Sequence, residues 1–232
     1  MEHTHSKSRI WELDFLRGIA LILMIYFHVI FDMKEFFDYP VSYSSGINYY
    51  IGKASAILFM LVSGISCSLS RSNIRRGLKV LGIALAITLV THLYNLEYGI
   101  KFGILHFFGI SMLLYPVFRR LNSYLLLGLG TAVIALGSVV SKIKVSYDYL
   151  FPLGIHSNSF VSSDYYPLIP WFGVFLYGIA LGKILYAGKQ SLFNFTPGEN
   201  IISMAGRRTL LIYVIHQPIT MLVLTLVSQL VP

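Results

Sequence analysis

Charge and cysteine are what this chain has least of. Only 12% of its 232 residues are Asp, Glu, Lys or Arg, about half the share of a soluble domain. Such poverty of charge argues against a soluble enzyme. The single cysteine, Cys67, excludes an intrachain disulfide, argues against a cysteine metal site and reads as packing in an apolar segment. Also missing are a P-loop, a Rossmann glycine pattern and a nucleophile elbow. No HxxxH or HxH pair falls in an apolar run, and His3 and His5 lie in a polar tail, so no metal is expected. There is no repeat, low-complexity tract or composition shift, which leaves one domain over residues 1–232. The first apolar run is not read as a removable signal peptide, because Glu12, Asp14 and Arg17 crowd its start and no small-x-small site follows.

What is present is apolar surface: 56% hydrophobic residues and a mean hydropathy of +0.69. The pattern predicts an all-α, polytopic membrane helical bundle with spans at 13–33, 48–70, 77–95, 101–118, 123–140, 167–187 and 207–231, each long enough to cross with some tilt. The net charge of +8 would suggest a nucleic-acid partner in a soluble protein. Here its distribution explains it better, and no nucleic acid is expected. Lys7, Arg9, Arg17, Arg71, Arg75, Arg76, Lys79, Arg119, Arg120, Lys183, Lys189, Arg207 and Arg208 fall on one set of alternate loops. Lys34, Lys53, Lys101, Lys142 and Lys144 fall on the other. The positive-inside rule then puts the N-terminus in the cytoplasm and the C-terminus outside.

The basic cytoplasmic turns are short. The long connection, Ser141–Pro167, is external, and a loop of that size in a compact bundle is either functional or a flexible connector. The GxxxG pattern of Gly178–Gly182 permits close backbone approach; it marks an intramolecular contact or the seam of a homodimer, with the first favoured. Segment 123–140 carries no ionisable residue beyond Tyr124 and reads as a structural, largely lipid-exposed helix.

The residues that could do chemistry begin in span one. Arg17, Leu21, Met24, His28 and Asp32 follow helical steps of four and three and so share a face. At about 1.5 Å per residue, His28 lies about 16 Å along the axis from Arg17. Ionisable groups within a span are costly and usually face a cavity or a partner. Asp32, one turn on, could orient the His28 imidazole as a general base, or be a plain interfacial carboxylate. His92 and His106 lie at the outer ends of spans three and four, His156 in the external loop, and His216 mid-span before Gln217 and Pro218. His216 reads equally as a functional group or as a structural hydrogen-bonding residue at a proline-weakened turn.

"LDFLRGIALILMIYFH" (Leu13–His28) resembles the first helix of membrane acyltransferases with their Arg-x10-His pattern. With "FMLVSGISCSLS" (Phe59–Ser70), "GILHFFGIS" (Gly103–Ser111), "DYYPLIPWFGVFLYGIALG" (Asp164–Gly182) and "LLIYVIHQP" (Leu210–Pro218), the chain is similar to the heparan-alpha-glucosaminide N-acetyltransferase family and its bacterial relatives. The resemblance implies a protein of the bacterial plasma membrane that moves an acetyl group from cytoplasmic acetyl-CoA to an amine or hydroxyl, of a sugar or glycan, on the far side of the lipid bilayer. It departs from the animal enzymes in carrying His28 where they have Asn, and Phe107-Phe108 where they have Arg. On this reading Arg17, with Arg75, Arg76, Arg207 or Arg208, binds the coenzyme phosphates. His28 with Asp32 supplies the base, His106 and His216 stand in reserve, and Asp164 to Trp171 shape the acceptor's way in. A covalent acetyl-histidine route stays open.

The rival class is a transporter or flippase whose His/Arg/Asp stripe carries protons or substrate. Transporters often show inverted repeats, and this chain has no internal symmetry, which ranks that reading second.

Overall fold

The computed structural model describes residues 10–195, 197–198 and 200–230; His3, His5, Lys7 and Arg9 lie outside them. Among the described residues the chain is all-helical: α1 (Trp11–Glu35), α2 (Gly46–Leu69), α3 (Asn73–Tyr94), α4 (Ile104–Phe118), α5 (Ser123–Val140), α6 (Leu168–Leu185), α7 (Ile201–Arg207) and α8 (Thr209–Leu230). Six of them, α1, α2, α3, α5, α6 and α8, are long and apolar enough to cross a membrane. The expectation of a polytopic helical membrane protein holds, and each expected span contains a helix.

One span differs from expectation, and one short helix precedes the last span unannounced. The fourth starts at Ile104 rather than at residue 101 and has 15 residues, about 22 Å of helix against a hydrocarbon core of about 30 Å. Its first expected residues are drawn into extended pairing, with Phe102 bridging Tyr165 and the Phe102 carbonyl accepting from the Tyr166 amide at 2.9 Å. The last expected span, 207–231, is the single helix α8, and a short helix that was not expected, α7, precedes it across a break at Arg208 (φ −110°, ψ 23°). Asn200 caps α7 by accepting from the Ser203 amide at 2.8 Å, so this short helix has its own start signal.

The chain forms two compact units, one of Met1–Val62 with Lys189–Pro232 and one of Ser63–Gly188. In the first, α1 packs on α7 and α8. Glycine makes the α1–α7 crossing possible: a side chain at Gly18 would strike the Ile202 carbonyl, and one at Gly206 the Asp14 carbonyl. The Glu12 carboxylate ties down the segment before α7 by accepting from Ser191 Oγ at 2.9 Å and the Leu192 amide at 2.8 Å. Ser55 Oγ, on the first part of α2, donates to the Ala20 carbonyl at 2.9 Å.

In the second unit α3 packs on α4, and α5 on α6. The GxxxG pattern of α6 faces the end of α2: a side chain at Gly64 would meet Gly178, and one at Gly182 would meet Ser68. The pattern therefore serves a contact within the chain. The α5 helix exposes Tyr124, Leu125, Leu136 and Val139, as a lipid-facing helix should. The 141–167 connection is ordered by its own contacts. The Ser157 amide donates to Asp148 at 2.8 Å and Tyr165 Oη to the Phe151 carbonyl at 2.7 Å, while Lys144 bridges His156.

Candidate active site

The first unit gathers the expected stripe. On α1, Leu21, Met24 and Asp32 are buried, while Arg17 and His28 are partly so, which places that face inward. Arg17 Nη1 pairs with Asp14 Oδ1 at 2.5 Å. Gly206 sits against the Asp14–Gly18 backbone, so the exposed Arg207 and Arg208 lie near the Arg17 end of α1. The sequence offered these as phosphate ligands, and all three belong to one end of this unit. Arg75 and Arg76 belong to the other unit, in the first turn of α3; Arg75 is exposed and Arg76 partly buried.

At the other end of the stripe, α8 brings His216 and Gln217 onto His28 and Asp32. The His28 and His216 rings meet edge to face with centroids 4.8 Å apart. The carboxylate expected to orient His28 is engaged elsewhere: Asp32 Oδ1 accepts from Gln217 Nε2 at 2.6 Å. His216 Nδ1 lies 2.5 Å from the Tyr213 carbonyl. A carbonyl only accepts, so Nδ1 carries the proton and Nε2 the lone pair. Four atoms of this cluster, His28 Nδ1, Asp32 Oδ2, His216 Nε2 and Gln217 Oε1, are buried with no hydrogen-bond partner among the described residues. Buried polar side chains are nearly always paired, and a set of unpaired ones needs a reason. Ser203 Oγ on α7 is buried and unpartnered as well.

The second unit has its own histidine and carboxylate, and there the bonds close. His106 Nδ1 accepts from the Gly103 amide at 3.2 Å, which leaves Nε2 protonated to donate to Thr88 Oγ1 at 3.1 Å. Thr88 in turn donates to the Ile100 carbonyl at 2.7 Å. Asp164 Oδ2 accepts from the Ile104 amide at 2.9 Å. Both residues thus satisfy donors at the start of α4, groups that a helix cannot pair internally. Burial pushes the Asp164 carboxyl up to about 6 and the Tyr165 phenol up to about 12. Trp171 packs against the Tyr166 ring at 5.5 Å. His92 Nδ1 donates to the Thr88 carbonyl and His156 Nδ1 to the Ser157 carbonyl, each at 2.8 Å.

The structure therefore joins His28, Asp32 and His216 and gives His106 and Asp164 a capping geometry. Gln217 is the partner the sequence reading passed over. Its signal was present: an amide in an apolar span, beside a histidine and before a proline.

A family model described as "Heparan-alpha-glucosaminide N-acetyltransferase, catalytic" matches residues 9–218 of the chain. No curated protein and no solved structure matches it.

Proposed function

Because the chain belongs to the heparan-alpha-glucosaminide N-acetyltransferase catalytic family, we propose that it is a membrane acetyltransferase whose chemistry takes place at the His28–His216 pair. The donor is cytoplasmic acetyl-CoA, which supplies the acetyl group as a thioester, and the acceptor is an amine or hydroxyl of a sugar on the external side. The observation that carries this reading is the pair itself. Two imidazoles stand 4.8 Å apart, each with a buried, unpartnered ring nitrogen, in a chain whose family transfers acetyl groups.

His216 Nε2, with its tautomer fixed by Tyr213, is the first base, and His28 shares the proton. As the acceptor nitrogen or oxygen bonds to the thioester carbonyl carbon, the histidine takes the acceptor's proton. The C–S bond breaks, and the histidine returns the proton to the departing thiolate. Both rings start and end neutral, which suits a general base near physiological pH. Arg17, Arg207 and Arg208 supply permanent positive charge at the other end of α1, where charge-assisted hydrogen bonds to phosphate are strong. The axial reach of about 16 Å from Arg17 to His28 is comparable to an extended pantetheine arm.

The orientation rests on the cation distribution, with the N-terminus inside. The test uses sealed vesicles. Acetyl-CoA supplied on the N-terminal side should acetylate an amino-sugar acceptor confined to the other side, and Arg17→Ala should weaken acetyl-CoA binding. In a Cys67→Ser background, cysteines placed in the 141–167 loop should react with an impermeant thiol reagent from the acceptor side. Labelling only from the donor side, or no binding of acetyl-CoA, defeats the proposal.

A further inference from the structure

The unpartnered atoms around His28 share a chemical character. A carboxylate only accepts, so Asp32 Oδ2 is an acceptor. Gln217 turns its amide nitrogen to Asp32 at 2.6 Å, which leaves Oε1 as an acceptor. His216 spends its N–H on Tyr213, which leaves Nε2 as an acceptor. All three are buried with no hydrogen-bond partner among the described residues, and Asp32 has 0% of its surface exposed. The fourth, His28 Nδ1, has no hydrogen bond that fixes its tautomer and accepts when the ring proton sits on Nε2. Leaving one such group unpaired is costly, and more so for a charged one. Only a molecule that brings hydrogen-bond donors would complete the set.

We propose that Asp32 and Gln217 form a clasp for the acceptor, receiving donors adjacent to the group that becomes acetylated. The clasp selects an amine or a polyol and rejects carboxylates and phosphates, which would bring more acceptors against Asp32. This inference rests on the acetyl-transfer reading of the same site and adds to it the two residues that hold the acceptor and exclude anionic ones. The two histidines move the proton; Asp32 and Gln217 hold the molecule that gives it up. A purely structural Asp32–Gln217 bond would leave Oδ2 and Oε1 with nothing to do.

The test uses the full chain in detergent, with glucosamine, ethanolamine and glycerol as donor-bearing probes and glucuronate and glycerol phosphate as anionic ones. The wild type should release coenzyme thiol with at least one of the first group and with neither of the second. Asp32→Asn and Gln217→Met should raise the acceptor KM by about tenfold or more, the worth of one or two hydrogen bonds to a charged or buried group, with a smaller change in kcat. Without added ligand, Asp32→Asn should unfold no lower than the wild type, since it removes an unpaired buried charge and keeps the bond to Gln217. An unchanged KM in both variants, a lower unfolding temperature for Asp32→Asn, or a wild type that binds acetyl-CoA yet uses none of the donor-bearing probes overturns the clasp. A wild type that does not bind acetyl-CoA overturns the transfer reading instead. The clasp is then judged by thermal shift: glucosamine stabilising the wild type but not Asp32→Asn sustains it, and no shift in either removes it.

Discussion

Each unit of this protein sets a histidine and a carboxylate among apolar helices, and the two settings come out differently. In the second unit His106 uses both ring nitrogens, on Gly103 and Thr88, and Asp164 holds the Ile104 amide. In the first unit His28, Asp32, His216 and Gln217 each keep a buried atom with no hydrogen-bond partner among the described residues. The same residue types thus build structure in one place and are left open in the other. Residue type and depth in a span do not distinguish these roles; hydrogen-bond closure does. A closed network stabilises by net amounts of about 0.5–1.5 kcal/mol per bond. An open one is retained only if something else repays its cost.

The comparison breaks most visibly at the open cluster. His216→Ala and His28→Ala should each lower acetyl transfer by about 10²–10⁴-fold, the usual worth of a positioned base, while acetyl-CoA binding persists. Turnover at saturating acetyl-CoA in the folded variants checks this. Near wild-type rates in both would remove the pair from the chemistry.

The closed cluster should respond in stability. His106→Ala leaves the Gly103 amide and the Thr88 hydroxyl without their imidazole partner, and a loss of about 1–3 kcal/mol follows. Thermal unfolding in detergent should show it, with turnover per folded molecule retained. A stable His106→Ala protein without activity would put the two clusters on the same footing.

The smallest effect concerns Asp164. Its carboxyl is pushed up to about 6, above the ordinary value of about 3.9, so the folded state keeps a proton that the unfolded chain gives up. The contribution to stability is full below the ordinary value and is lost as pH rises through about 6. Asp164→Asn keeps an acceptor for the Ile104 amide and no longer titrates. Its unfolding temperature should therefore fall less than that of the wild type between about pH 4 and pH 7. Equal slopes would show that Asp164 does not carry this dependence.

The sequence made the helices readable because their apolar runs are long and their breaks are polar or basic. It also displayed the stripe of α1, since helical spacing alone puts Arg17, His28 and Asp32 on one face. What it hid depends on distant partners. Asp32 and Gln217 are 185 positions apart, so local pattern gave Asp32 to its neighbour His28 instead. The shortness of α4 depends on Asp164, 60 positions away, and on Phe102 pairing with Tyr165. His106 looked available for chemistry because its role as a cap shows only once the helix start at Ile104 is fixed. The short helix α7 escaped for another reason: its seven residues are too few to register as an apolar run of spanning length.

The most direct test of the contrast between open and closed clusters measures His216→Gln and His106→Gln side by side. Turnover per folded molecule at saturating acetyl-CoA is read together with unfolding temperature. The account predicts that His216→Gln loses about a hundredfold or more in turnover with little change in unfolding temperature. His106→Gln should unfold earlier and turn over at close to the wild-type rate. The opposite pattern, an inactive His106→Gln and an active His216→Gln, would contradict it.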